Sequence, residues 1–83
     1  MLFRSRIRVL FFGATAALVG SREVEAEISE KDSPADVVQR LTVSHPELRS
    51  HRLLFAVNEE YTSASSPLKD GDKLAIFTAV SGG

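Results

Sequence analysis

The sequence ends Val80-Ser81-Gly82-Gly83, and the C-terminal carboxylate of Gly83 is the group with the most evident chemical use. Glycine has no Cβ, so a paired-glycine tail can enter a channel too narrow for other residues. Its carboxyl carbon is also unhindered. A partner enzyme could thread the tail into its own site and activate the terminus as an acyl donor. The plain alternative is a frayed chain end, which the dipeptide alone favours; the rest of the chain must decide. Other candidate groups are weaker. His45 and His51 flank Pro46-Glu47-Leu48 without a third ligand at recognisable spacing, so no metal site is expected. Ser63, Ser65 and Ser66 lie in a loop-like stretch with no evident base to activate a hydroxyl. Glu23, Glu25, Glu27 and Glu30 read as a solvated face rather than a cation site.

Composition narrows the field. A chain of 83 residues makes one domain, here residues 1–83, and must pattern its small core well. Its net charge of −1 offers no electrostatic footprint for nucleic acid. There is no cysteine, which excludes disulfides and thiolate chemistry and fits a reducing, cytoplasmic setting. Any sulfur the protein handles must arrive from another molecule. Arg4, Arg6 and Arg8 ahead of the apolar run Val9 to Gly20 share features with a secretory leader. That run is too short to span a membrane as a helix. Cleaving it would leave a cysteine-free remnant near the limit of independent stability. A buried strand followed by a short helix is the alternative.

The elements that must position the tail follow from periodicity. Arg6 to Phe12 reads as a strand, with Ile7, Val9 and Phe11 on one face and Arg8, Leu10 and Phe12 on the other. Ala14 to Val19 suits a short helix stopped by Gly20. Arg22 to Ile28 alternates, with Val24, Ala26 and Ile28 inward. Ser33, Pro34 and Asp36 form a helix start, and Pro34, Val37, Val38 and Leu41 share a stripe. Pro46 ends that helix near Ser44. Leu53 to Asn58 and Glu60 to Ser63 read as strands, Asp70-Gly71-Asp72 as a turn, and Lys73 to Val80 as the last strand. On that strand Leu74 and Ile76 share one face and Phe77 the other. The order β-α-β-α-β-β-β suits an α+β fold, a mixed sheet with a helix packed across it; the β-grasp, or ubiquitin-like, topology in particular rests partly on the family resemblance below. Residues 80–83 are expected to project as a flexible tail.

Three segments carry a family resemblance: Val9-Leu10-Phe11-Phe12, Ala56-Val57-Asn58 with Glu59, and Pro67 to Asp72 followed by Leu74-Ala75-Ile76-Phe77 and the Val-Ser-Gly-Gly ending. With these the chain resembles the ubiquitin-like sulfur carriers, and among them the small subunits of molybdopterin synthase, over nearly its whole length. It departs at Thr78-Ala79, where that family usually has two prolines. Paired prolines remove backbone donors and stiffen the exit of the tail, whereas Thr78 and Ala79 can extend strand pairing.

The resemblance implies a mechanism. Gly83 would be adenylated by an E1-like, ATP-using adenylyltransferase and so transiently linked to AMP. A sulfur donor protein would convert the acyl-adenylate to a thiocarboxylate. Loaded Gly83 would then enter the large synthase subunit and give sulfur to cyclic pyranopterin monophosphate, two transfers completing the molybdopterin dithiolene. The chain would be no enzyme alone, with the catalytic pocket in the large subunit of a heterotetramer. It would hold no permanent cofactor, nucleic acid or membrane. Ser81 and Gly82 would give access, four extended residues reaching about 13 Å. Related carriers dock through an apolar surface, which matches Phe12, Tyr61 and Phe77 here; a core role for these aromatics is the alternative. Other readings are a sister carrier for thiazole synthesis in the thiamine pathway or for tRNA thiolation, a ubiquitin-like protein modifier, or a binding module with an inert tail.

Overall fold

A computed structural model describes residues 5–79. Five strands form one mixed sheet: β1 (Ser5–Phe11), β2 (Glu23–Ile28), β3 (Leu53–Val57), β4 (Glu60–Thr62) and β5 (Lys73–Thr78). Helix α1 (Ala14–Val19) links β1 to β2, and α2 (Pro34–Ser44) follows β2. Across the sheet the order is β2-β1-β5-β3-β4. The central pair β1 and β5 is parallel, and every other pairing is antiparallel. This is the expected mixed sheet with a helix across one face. The apolar run that shared features with a secretory leader thus supplies the strand between β2 and β5.

Alternation decides which face is covered. Ile7, Val9 and Phe11 of β1, Ile28 of β2, Phe55 of β3, and Leu74 and Ile76 of β5 turn inward and meet Val37 of α2 and Leu68 of the β4–β5 loop. Val38 and Leu41 pack against this cluster, as the helical stripe requires. Ser33 and Asp36 cap α2 reciprocally, the Ser33 N–H donating to Asp36 Oδ2 at 2.8 Å. Sequence periodicity places these elements correctly but runs a residue long at some ends. Phe12 and Asn58 lie just past β1 and β3, and Ser63 past β4. Each boundary falls where the chain turns: Gly13 has φ 61° and Asn58 φ 50°. A 3₁₀-helical segment at Pro46–Ser50 was not apparent in the sequence, and it buries Leu48 completely. Five residues are too few for periodicity to show.

Two polar devices fix the loops. The hairpin turn between β3 and β4 places Asn58 and Glu59 both at positive φ, the geometry that matches strand twist. Asn58 Oδ1 accepts the Lys73 N–H at 3.0 Å, and its Nδ2 donates to Asp72 at 2.9 Å. Near α2, Asp32 Oδ2 accepts the Ser29 N–H at 2.7 Å and an Arg40 Nη at 2.8 Å. The Asp32 carbonyl also accepts the Leu68 N–H at 2.7 Å. Asp32 therefore joins the approach to α2 with the loop leading to β5. The Ser29 hydrogen bond, aided by Arg40 and opposed by burial, lowers the Asp32 carboxyl below its ordinary 3.8.

A lowered folded-state value means that the ionised carboxylate stabilises the fold. That contribution is complete above the ordinary value and is lost as pH falls through the folded one. Asp32→Ala should cost about 1–2 kcal/mol at neutral pH, mostly from the Ser29 bond, because Arg40 is half exposed. In urea titrations the gap between wild type and variant should close as pH drops below 3.8. A gap unchanged down to full protonation would contradict this account of the carboxylate.

Candidate functional site

The last strand before the C-terminal tail is held on both sides in the sheet. β5 pairs on one side with β1, from Arg8↔Lys73 to Phe11↔Ile76, and on the other with β3, from Val57↔Leu74 to Leu53↔Thr78. The Asp70-Gly71-Asp72 turn sets its start. Asp70 Oδ1 accepts the Arg6 N–H at 2.8 Å, while the Gly71 N–H donates to the Arg6 carbonyl at 2.8 Å. Gly71 has φ 84°, a conformation that disfavours side-chain-bearing residues. Asp72 Oδ2 accepts the Lys69 N–H, and the Asp72 carbonyl accepts the Arg8 N–H. The Asp70 carboxylate and the Gly71 and Asp72 backbones thus tie the start of β5 to β1, while the Asp72 carboxylate closes the turn onto Lys69.

At the other end of β5, pairing continues past Thr78. The Ala79 N–H donates to the Arg52 carbonyl at 3.2 Å. Proline could not make this bond. The Thr78-Ala79 departure thus swaps the stiffness of paired prolines for a backbone hydrogen bond to the segment before β3. Strand β5 ends at Thr78 rather than continuing to Val80. Val80, Ser81, Gly82 and Gly83 lie outside the described residues, and with them the expected tail.

The uncovered face of the sheet lies beside this exit. The register aligns Leu10, Ala75, Ala56 and Tyr61 in one cross-strand row over β1, β5, β3 and β4. Leu54 and Phe77 pair in the next row. Phe12 adjoins Phe77, since its N–H donates to the Ile76 carbonyl at 3.1 Å. Phe12 is 53% exposed and Tyr61 83% exposed, whereas Phe77 is half-buried. Tyr61 and Phe77 meet edge to face, with ring centroids 5.8 Å apart. All three aromatics singled out in the sequence therefore share the open face, away from the core cluster. Sequence reasoning missed Leu10, Leu54, Ala56 and Ala75 as members. Alternation contained that signal, but the register joining them comes only from strand pairing. At one margin Arg8 meets Glu23 and Arg6 meets Glu27, at 3.7 and 3.8 Å. These exposed pairs add little stability.

Elsewhere the discounted groups remain apart. His45 and His51 bracket the 3₁₀ segment, and no cluster of metal-binding side chains occurs among the described residues. The hydroxyls of Ser63, Ser65 and Ser66 hydrogen-bond only among themselves in the contacts seen, at 3.1–3.2 Å. No described helix is long and apolar enough to cross a membrane.

Comparison with known proteins gives a consistent result. The ThiS family pattern matches residues 9–83. A molybdopterin synthase sulfur carrier subunit from Chlamydomonas reinhardtii is 33% identical over 82 residues, covering 94% of this chain and 99% of that protein. Among solved structures, a candidate molybdopterin converting factor subunit 1 from Pyrococcus furiosus superposes with TM-score 0.81 at 26% identity, covering 92% of this chain and 99% of that one. A chain in the complex of molybdopterin-converting factor subunits 1 and 2 from Helicobacter pylori shares the fold, with TM-score 0.62 at 20% identity, covering 94% and 99%.

The hydrogen bond at the strand exit can be tested directly. Ala79→Pro should lose the bond to Arg52 and lower stability by about 0.5–1.5 kcal/mol. Amide exchange at Phe77 and Leu54, the next hydrogen-bonded pair along the β3–β5 ladder, should quicken relative to Val9. Equal stability, with unchanged exchange at those positions, would show that the bond does not hold the strand end.

Proposed function

The chain belongs to the ThiS family, and on that premise we propose that it is the sulfur-carrying small subunit of a molybdopterin synthase. The observation that carries this reading is the family match running through to Gly83, together with the open apolar face that β5 shares with its neighbouring strands. The relatives named above support the choice of acceptor pathway.

In this reading the reacting group is the Gly83 carboxylate. A carboxylate resists nucleophilic attack, and joining it to AMP, with release of pyrophosphate from ATP, supplies a leaving group. Sulfide-level sulfur delivered by a donor protein then attacks the acyl carbon, the C–S bond forms as the C–O bond to AMP breaks, and AMP leaves the acyl group as a thiocarboxylate. The E1-like adenylyltransferase and the sulfur donor are partners of this step. The large subunit receives the loaded tail and supplies the pocket in which cyclic pyranopterin monophosphate accepts the sulfur. Gly82 and Ser81 give access to that pocket. Four extended residues reach about 13 Å, enough for Gly83 to enter a buried site while the sheet docks outside. Docking falls to Phe12, Tyr61 and Phe77, with Leu10 and Leu54 completing the face. The partner seen with a similarly folded chain in the Helicobacter pylori complex supports this arrangement.

The test uses the full chain with an E1-like enzyme, ATP and a sulfur donor. Intact mass should rise by the difference between one sulfur and one oxygen atom, and deletion of Gly82 and Gly83 should abolish the gain. Thiocarboxylated protein mixed with a large synthase subunit and cyclic pyranopterin monophosphate should yield molybdopterin. Phe12→Ser should remain folded, its ring being half exposed, yet bind the large subunit at least tenfold more weakly, given the weight of aromatic anchors at interfaces. Higher-mass conjugates on denaturing gels would identify a protein modifier instead. A loaded chain that yields no molybdopterin where a working pair does would indicate a sister carrier.

A further inference from the structure

Thr15 is the one residue of α1 that is fully buried, and its hydroxyl faces two backbone carbonyls. Its Oγ lies 2.7 Å from the Phe12 carbonyl oxygen and 2.9 Å from that of Ile76. A hydroxyl carries one proton, so the two carbonyls share a single donor. The Thr15 N–H also donates to Phe12 at 3.3 Å, and the Phe12 N–H donates to Ile76 at 3.1 Å. Thr15 therefore closes a ring of hydrogen bonds between the end of β1 and the Ile76 carbonyl of β5.

The helix needs such a tie. With six residues α1 is too short to be stable alone. Its N-cap is Gly13, at φ 61° with no side-chain cap, and no acidic residue occupies its first turn. The contact made by Thr15 thus anchors both the helix start and the strand ends. The two backbones it touches are those of Phe12 itself and of Ile76, the residue before Phe77.

We propose that Thr15 is a positioning residue for the docking face: its buried hydroxyl ties Phe12 to Ile76 so that Phe12 and Phe77 form one surface beside the exit of the tail. The functional consequence rests on the sulfur-carrier reading above. Thr15 touches no partner itself and acts through the backbone of the aromatics that do.

Two variants separate the hydroxyl from general stability. Thr15→Val keeps the shape and removes the donor, whereas Thr15→Ser keeps the donor and removes a buried methyl. Both should lower stability in urea. Affinity for a large synthase subunit should follow the hydroxyl alone. Thr15→Ser should bind within about twofold of wild type and Thr15→Val about five- to tenfold more weakly, the worth of one hydrogen bond. Amide exchange at Phe12 should quicken in Thr15→Val relative to Val9, and not in Thr15→Ser. Folded Thr15→Val that binds like wild type, or equal losses in both variants, would overturn the proposal. Should Thr15→Val not fold, the wild-type hydroxyl proton decides: protection from exchange in NMR spectra supports the tie, and rapid exchange refutes it. If the wild-type chain binds no large subunit, the sulfur-carrier reading fails, while the exchange contrast at Phe12 still decides the role of Thr15.

Discussion

The parallel pairing of β1 with β5 at the centre of the sheet is the constraint on which the other features depend. These strands lie far apart in sequence, so their pairing closes a long loop at an entropic cost. Burial offsets that cost, since Val9, Leu74 and Ile76 are wholly removed from solvent. Register is the critical variable, because a one-residue slip would reverse every side chain on β5. The Asp70-Gly71-Asp72 turn guards against that slip by engaging both backbone groups of Arg6. Thr15 guards the far end. The last described strand is thus held on both sides and at both ends before the chain reaches its tail.

A second consequence concerns area. Two helices and a loop residue cover one face of the five-stranded sheet: α2, Leu68, and Ala16 and Val19 of α1. The other face keeps Leu10, Phe12, Leu54, Tyr61 and Phe77 in a contiguous field. Apolar surface left in water gains nothing for folding, so such a field in a small domain points outward to a partner. Charged pairs at its margin, Arg8 with Glu23 and Arg6 with Glu27, favour solubility over stability. On the proposed reading, loading chemistry belongs to Gly83 and recognition to the open face of the sheet.

The segments that carry the family resemblance do different physical work. Val9-Leu10-Phe11-Phe12 alternates between core and open face. Asn58 organises the hairpin turn and grips Lys73 and Asp72. The two aspartates around Gly71 each accept a backbone N–H, and Asp72 also accepts from the Asn58 amide. Thr78-Ala79, the departure from the usual prolines, preserves the tie at the strand exit by other means, through the Ala79 bond to Arg52.

Local pattern in the sequence determined the elements, the inward residues and the α+β class. Helix caps, period-two alternation and turn dipeptides are short-range properties that a single chain displays. Ser33 with Asp36 and the stripe Val37, Val38, Leu41 are clear cases. The sequence likewise displayed the paired glycines and three exposed-face aromatics. What it could not display were relations across distance. The buried 3₁₀ contact of Leu48, the service of Asp32 to Leu68 and the row joining Leu10 to Tyr61 need strand order and register. So does the role of Thr15, an unremarkable residue in a short helix whose hydroxyl meets Ile76 only because β1 lies beside β5. Tertiary structure decided these because hydrogen bonds and packing depend on proximity in space, which sequence spacing does not encode.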